Sequence, residues 1–187
     1  MDTTTREEEP REEMWEVRIS AGITPDDVET ILNMAGSSGL FSTDAMMSAE
    51  DMAWDCAYGN GEEMQTFLLA RIDQEGADRI IGFVCYGPIR HWPGDHELYG
   101  ITVDPEFRRL GIGSALVAEM IRRVAEEKGK RIFLETGAGR AFENARLFYE
   151  ANDFAQQQRF CKQFIPMEGG LVYRFNIDAE EADKQYQ

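Results

Sequence analysis

The sequence predicts an α+β fold in which helices cover a mixed, mostly antiparallel sheet. Alternating and amphipathic segments follow one another in the order β-α-α-β-β-β-α-β-α-β-β. Two adjacent strand-like segments, 64–72 and 79–87, are separated by a short polar stretch and predict an antiparallel hairpin. A strand–helix–strand unit over 97–136 predicts one parallel crossover in the same sheet.

The first part of the chain supplies a strand and two helices before the hairpin. Residues 15–20 alternate in polarity and predict a strand. Thr24 followed by Pro25 is typical of a helix start, because Thr caps the helix and Pro suits its first position. This helix is expected to end near Gly36, and a second helix is expected over about 42–57.

The second part of the chain alternates between strands and helices. Its predicted elements are a strand at 97–103, a helix at about 110–127, a strand at 131–136, a helix at 142–151 and two strands within 154–177. No internal repeat and no second domain is indicated. We therefore expect one domain over 14–177, between disordered acidic tails at 1–13 and 178–187.

Composition and charge narrow the class of function. The chain has 187 residues, of which 43% are hydrophobic, and a net charge of −16. Such an acidic chain repels phosphate backbones, so nucleic acid is not the expected partner, whereas a cationic amine is compatible. No stretch of 18 apolar residues predicts a membrane span, and the N-terminal residues do not resemble a signal peptide. We expect a cytoplasmic protein, and a homodimer is left open.

The cysteines and histidines argue against a disulfide framework and against a metal centre. Cys56, Cys85 and Cys161 are odd in number and widely spaced, which favours reduced, buried thiols. His91 and His96 are the two histidines, too few for a histidine-rich site. We expect no metal.

The segment 103–114 carries the chemistry. A strand ends there, and a basic pair with two glycines opens an amphipathic helix. Unpaired N–H groups and the positive end of the helix dipole bind anions at such a start. Arg108 and Arg109 can add charge-assisted bonds, while Gly111 and Gly113 let a phosphate approach the backbone.

The phosphate ligand is identified by comparing motifs. A dinucleotide fingerprint requires glycine where Leu116 stands, and no GK[ST] motif of a P-loop is present. The pattern Arg108-x-x-Gly111-x-Gly113 instead resembles the coenzyme A pyrophosphate loop of the GNAT acetyltransferases. Downstream, ENARLFYEANDF resembles the second motif of this family, with Asp153 in place of its usual glycine.

This resemblance implies that acetyl-CoA is the cosubstrate. It implies that the strand before the loop splays from its parallel neighbour and that the pantetheine arm lies between them. The resemblance also implies the cofactor-binding residues, which are Ile101, Val103, Arg108, Arg109, Gly111, Ile112, Gly113, Ser114 and, on weaker grounds, Asn144.

The resemblance places the catalytic groups beside the same strands. Glu97 is the expected general base, acting through water, and its neighbours Asp95 and His96 are alternatives. Glu135 on the adjacent strand is a further candidate base or amine-binding carboxylate. Tyr149 is the expected general acid, which protonates the departing thiolate of coenzyme A.

The acceptor is the least determined part of the interpretation. Phe41, Trp54, Trp92 and Tyr99 are candidates to line its site. The expected function is transfer of acetyl from acetyl-CoA to a primary amine of a small molecule. Two alternatives stay open: a non-catalytic acyl-CoA-binding regulatory module, and a protein N-acetyltransferase.

Overall fold

A computed structural model describes residues 15–59, 65–158 and 169–177 of the chain. The strands in these ranges are β1 Arg18–Ala21, β2 Thr66–Gln74, β3 Ala77–Pro88, β4 Asp95–Val103, β5 Arg131–Gly137, β6 Ala155–Gln156 and β7 Gly170–Asn176. The helices are α1 Pro25–Ser37, α2 Thr43–Tyr58, α3 Ile112–Glu126 and α4 Glu143–Ala151. The strands form one sheet in the order β1-β2-β3-β4-β5-β7-β6. Neighbouring strands are antiparallel except for β4 and β5, which confirms the predicted α+β fold.

Helices cover the two faces of the sheet and bury separate apolar clusters. On one face, α1 and α2 pack against the middle strands through a cluster built around Val28, Ile31 and Phe83. On the other face, the side chains of α3 and α4 join a larger cluster that includes Leu116, Met120 and Tyr149. Because β4 lies in the middle of the sheet, its side chains reach both layers.

The start of α1 is fixed to the sheet through Asp27. The Asp27 carboxylate accepts hydrogen bonds from the Thr24 N–H at 2.8 Å and the Thr24 hydroxyl at 2.9 Å. Arg71 of β2 donates to the same carboxylate at 2.7 Å. Burial alone would raise the pKa of Asp27, but the Thr24 and Arg71 hydrogen bonds outweigh it and hold that pKa below its usual value. The helix start predicted at Thr24 and Pro25 is confirmed.

The predicted hairpin is also confirmed, with a tighter turn than the sequence suggested. Strand pairing continues to Gln74 and Ala77, which leaves a two-residue connection. Glu75 and Gly76 have φ values of +56° and +82°. Two left-handed residues match the twist of the flanking strands, so the polar residues around them join the ladder.

Several predictions concern residues outside the described ranges. The acidic segments 1–13 and 178–187 are among them, as are Cys161 and residues 159–168 of the connection between β6 and β7.

Within the described residues neither Cys56, which is half-buried, nor Cys85, which is buried, forms a disulfide. None of the helices in the described ranges has the length and apolar character that a bilayer crossing requires.

Candidate active site

The candidate site is a wedge-shaped space between two parallel strands. β4 and β5 pair over only three residues, and their pairing ends at Glu97 and Phe133. Beyond that point β4 stays hydrogen-bonded to β3, and β5 stays hydrogen-bonded to β7. We call the space between 98–103 and 134–137 the β4–β5 gap. Its edges present backbone groups that no longer pair across the sheet, and a polar ligand chain can bond them. The predicted splayed pair is confirmed.

The loop after β4 ends in an unpaired helix start. Arg109 and Gly111 have φ values of +67° and +80°, both in the left-handed region. Within the described residues, no acceptor is present for the backbone N–H groups of Ile112, Gly113 and Ser114. Three free donors at the positive end of the α3 dipole make this helix start suitable for an anion.

The two arginines of the loop differ in their surroundings. The Nε of Arg108 donates to the Val103 carbonyl at 3.0 Å, so this side chain closes the loop onto the end of β4. Arg109 is exposed and makes no hydrogen bond within the described part of the chain. Its left-handed backbone costs on the order of 1 kcal/mol, which such a residue tolerates only where the surrounding loop imposes it.

The two glycines of the loop also differ. A Cβ on Gly111 would meet no atom within 4 Å, so this position faces open space. A Cβ on Gly113 would lie 3.0 Å from the Cε2 atom of Phe148 and 3.7 Å from Val103. Gly113 therefore lets the start of α3 pack directly on the Phe148 ring of α4, in addition to offering its N–H.

Glu97 lies at the base of the β4–β5 gap and is partly buried. Burial raises the pKa of its carboxyl to about 7, and the like charge of Glu135 on β5 adds to the increase. Within the described ranges no group donates a hydrogen bond to this carboxylate. A carboxyl with a pKa near neutrality is suited to accept a proton at physiological pH.

Glu135 is held close to the neighbouring strand. A Cβ on Gly170 of β7 would lie only 2.0 Å from the Oε1 atom of Glu135, so the carboxylate occupies the space that this glycine leaves open. Glu135 pairs with Val172 two residues beyond the last β4–β5 pair. Its charge is close enough to Glu97 to raise the pKa of that carboxyl.

The two alternatives to Glu97 have other partners. Asp95 is buried, and its two carboxylate oxygens accept from the Nε and Nη2 of Arg131 at 2.7 and 2.8 Å. His96 lies toward the opposite layer, with its Nε2 3.8 Å from Glu127 at the end of α3. Burial lowers the pKa of His96. Glu97 is the one of the three that faces Glu135.

Tyr149 belongs to an aromatic cluster on the α3 side of the sheet. The residue is 8% exposed, and its ring centroid lies 5.5 Å from that of Phe148, 6.1 Å from that of Phe154 and 6.3 Å from that of Tyr173. Burial raises the pKa of its phenol to about 12. The phenol therefore keeps its proton at neutral pH but is a weaker acid than a free phenol.

The remaining cofactor candidates lie on β4 and at the start of α4. Ile101 and Val103 pack their side chains on the α3 side, while their backbone forms the edge of β4. Asn144 is exposed in the first turn of α4. The described residues contain no group of three or more His, Cys, Asp or Glu side chains arranged to hold a metal ion.

A β-bulge in β4 was not predicted from the sequence. Its register against β3 shifts between Cys85 and Tyr86, so that Tyr99 is the extra residue. The bulge places Tyr99 next to Gly100 on the α1–α2 side of the sheet. A Cβ on Gly100 would lie 3.0 Å from the Phe41 ring, which covers this part of the strand. A glycine inside a strand often marks a bulge, so Gly100 is the sequence feature from which this bulge could have been predicted.

The four aromatic residues proposed to line the acceptor site lie at three separate places. Phe41 and Tyr99 pack together with the cluster on the α1–α2 face, on the same side of β4 as Glu97. Trp54 stacks on Tyr58 instead, on the outer face of α2. Trp92 lies in the exposed turn before β4.

A family comparison agrees with this geometry. The family described as "Acetyltransferase (GNAT) family" matches residues 36–154, well over half of the chain. The chain belongs to the GNAT acetyltransferase family. The matched range contains the β4–β5 gap, the loop before α3 and the FYE segment of α4, and the predicted resemblance is confirmed. The curated protein sequences contain no match to the chain.

Solved GNAT structures resemble the whole described fold. A protein of Desulfovibrio desulfuricans assigned to the GNAT family is 26% identical, with a TM-score of 0.75 over 87% of this chain and 100% of that one. The PaiA N-acetyltransferase of Thermoplasma acidophilum, solved in complex with coenzyme A, is 17% identical, with a TM-score of 0.65 over 86% and 99%. The ribosomal-protein-S18-alanine N-acetyltransferase of Escherichia coli is 18% identical, with a TM-score of 0.62 over 92% and 100%.

Proposed function

We propose that this GNAT acetyltransferase transfers the acetyl group of acetyl-CoA to a primary amine of a small molecule. The observation that carries the proposal is the β4–β5 gap, with an anion-binding helix start at one end and Glu97 at the other. The groups of an extended acyl-CoA follow one another in the same order as these features: a pyrophosphate, a polar pantetheine arm and a reactive thioester. The coenzyme A bound to the PaiA structure supports this assignment.

The cofactor is held mainly by backbone. The N–H groups of Ile112, Gly113 and Ser114 bond the pyrophosphate, and the exposed guanidinium of Arg109 adds charge. The backbone edge of β4 at Ile101 and Val103 forms hydrogen bonds with the amides of the pantetheine arm, as a neighbouring strand would. Asn144 at the start of α4 is kept as a weaker contact.

Direct attack then requires one base and one acid. Glu97 removes a proton from the ammonium form of the acceptor through water, and the neutral amine attacks the thioester carbonyl. The backbone N–H of Val103 stabilises the oxyanion that forms. The C–S bond breaks as the intermediate collapses, and the departing thiolate takes the proton of the Tyr149 phenol. The nitrogen gives up its remaining extra proton to water, and the Tyr149 phenolate takes a proton from water. The high pKa of Tyr149 keeps that proton available at neutral pH.

Glu135 acts on the acceptor before the chemical step. Its carboxylate stands on the same side of the sheet as Glu97, and two neighbouring carboxylates attract a cation more strongly than one. The pair therefore favours amines that arrive as ammonium ions and lose the proton only at Glu97.

The test is a panel of primary amines incubated with acetyl-CoA, with free thiol and acetylated product measured together. We expect equal amounts of thiol and N-acetyl product from at least one small amine, and none from its N,N-dimethyl analogue. Coenzyme A binding without transfer to any amine would support the regulatory alternative. Transfer confined to peptides would support the protein N-acetyltransferase alternative.

A further inference from the structure

The outer face of α2 is an apolar stripe that no described element covers. Met47, Trp54 and Tyr58 are 61%, 36% and 64% exposed. Residues seven and eleven positions apart lie within about 40° of each other around a helix, so these three side chains form one line. The line is about 16 Å long. Exposed apolar surface of this length on a helix is typical of an interaction site.

A groove of mixed polarity continues the stripe toward α1. It lies between the two helices with a volume of about 490 Å³; Leu32 of α1 and Met46 and Met47 of α2 form the apolar part of its lining, beside polar residues that include Glu50. Methionine side chains are flexible and adapt to different apolar partners. The groove and the stripe share Met47, so together they form a single surface, which we call the α1–α2 surface.

The charge around this surface has one sign. Glu50 lies on one side of the stripe, and Asp44, Asp51 and Asp55 lie on the other, all of them exposed. The 52 residues of segment 19–70 contain nine Asp and Glu residues and no Lys, Arg or His. This segment itself therefore contributes only negative charge to the surface, which favours a cationic partner.

Two aromatic rings form a platform within the stripe. Trp54 and Tyr58 are stacked, with ring centroids 5.6 Å apart and planes inclined by 19°. A guanidinium or ammonium group binds favourably over such rings. Carboxylates beside the platform strengthen the attraction, since they neutralise the bound cation.

We propose that the α1–α2 surface is a docking site for a basic polypeptide segment that carries apolar side chains between its cationic ones. The cationic side chains bind the Trp54–Tyr58 platform and the carboxylates, and the apolar ones enter the groove at Met46 and Met47. The proposal concerns binding alone and does not depend on the transfer chemistry.

Other occupants fit this surface less well. A second copy of the chain would bring two acidic faces together, and nucleic acid or an anionic membrane would be repelled for the same reason. A small polyamine satisfies the carboxylates, but the short methylene links between its ammonium groups supply no apolar side chain for the groove. An extended peptide spans the length of the stripe with about five residues.

The experiment measures the affinity of the full chain for a peptide of about ten residues with alternating Arg and Leu, blocked at both ends. Isothermal titration calorimetry at low and at moderate salt compares this peptide with an Arg-Ser peptide of equal charge and with spermine. We expect the Arg-Leu peptide to bind most tightly, and its affinity to fall as salt increases. Equal affinity for spermine or for the Arg-Ser peptide would overturn the proposal.

Matched variants locate the binding. The double variant Trp54→Ala, Tyr58→Ala is expected to weaken peptide affinity by about fivefold or more. Asp51→Asn is expected to weaken peptide affinity as well. Glu126→Gln, at an exposed position of α3 in the opposite layer, removes the same charge and should leave the affinity within about twofold. Circular dichroism melts check that each variant is folded. Equal losses from the α2 and α3 charge variants would indicate diffuse attraction and would refute a docking site on α2.

Discussion

Replacing Glu97 with glutamine should make the protein more stable and less active. Burial and Glu135 raise the pKa of Glu97 from 4.5 to about 7. Because the folded pKa lies above the unfolded one, the carboxyl favours folding fully below pH 4.5, and this contribution is lost as the pH rises toward 7. Between pH 5.5 and pH 8 the loss amounts to at most about 2 kcal/mol. Glutamine carries no charge to bury, so the stability advantage of the variant should grow by up to that amount over this range.

Thermal melts of wild type and Glu97→Gln at the two pH values measure this difference. About 2 kcal/mol corresponds to a change in Tm of roughly 4–8 °C. The lower pH is chosen above the isoelectric point of about 4.5, where the protein would be prone to precipitate. If the difference in Tm between Glu97→Gln and wild type is the same at pH 8 as at pH 5.5, the ionised Glu97 carboxylate is adequately solvated, which refutes the reasoning.

The activity of the same variant tests the catalytic role. Loss of a general base should lower kcat by about 10²–10⁴-fold. In wild type, the ionised fraction of a group with a pKa of about 7 falls about fivefold between pH 7 and pH 6, so kcat should fall likewise. Glu135→Gln removes the like charge and should move this decline to lower pH. A Glu97→Gln enzyme with a kcat within twofold of wild type would exclude Glu97 as the base.

Three further substitutions have matched or internal controls. Gly111→Val should weaken acetyl-CoA binding at least about tenfold, as measured by calorimetry, because a branched side chain fills the open face of the loop and strains its backbone. The control Gly76→Val imposes similar strain in the hairpin and should leave the affinity for acetyl-CoA unchanged. Tyr149→Phe should keep the fold, as judged by melting, and lower kcat by about 10²–10⁴-fold; a rate near that of wild type when chemistry limits turnover would make water the proton donor. Asp27→Asn should lower the free energy of unfolding by about 1–3 kcal/mol, since it weakens a helix cap and an ion pair. The control Asp26→Asn, at an exposed position, should change the free energy of unfolding by less than about 0.5 kcal/mol. Equal effects of the two substitutions would show that Asp27 does not fix the start of α1.

The order of the elements could be predicted from the sequence because it depends on local patterns. Alternation, caps and turn residues act over a few positions, and the same is true of the strand–loop–helix unit around Gly111. Even there, the left-handed backbone of Arg109 had no signal in the sequence, because arginine has no preference for that conformation. The two-residue turn at Glu75 and Gly76 was missed for a similar reason: glutamate is not typical of its first position.

Contacts between distant residues set the rest of the site. The pKa of Glu97 depends on how deeply β4 is buried and on a carboxylate 38 positions away. The bidentate pair of Asp95 and Arg131 could not be inferred, because which acid meets which base depends on the register of two strands. Phe41 reaches Gly100 only because a bulge is present. The roles assigned to these residues in catalysis stay predictions.

The contact between Gly113 and Phe148 limits which substitutions this chain can accept together. An alanine at position 113 would meet the Phe148 ring at 3.0 Å, and the neighbour of that ring in the chain is Tyr149. The ring would have to shift by a few tenths of an ångström, which would disturb its contact with Tyr149. A smaller side chain at position 148, for example leucine, would make room for a side chain at position 113. The two sites therefore constitute a coupled pair for protein engineering, in which a single change at the helix start disturbs a residue two elements away and a double change restores it.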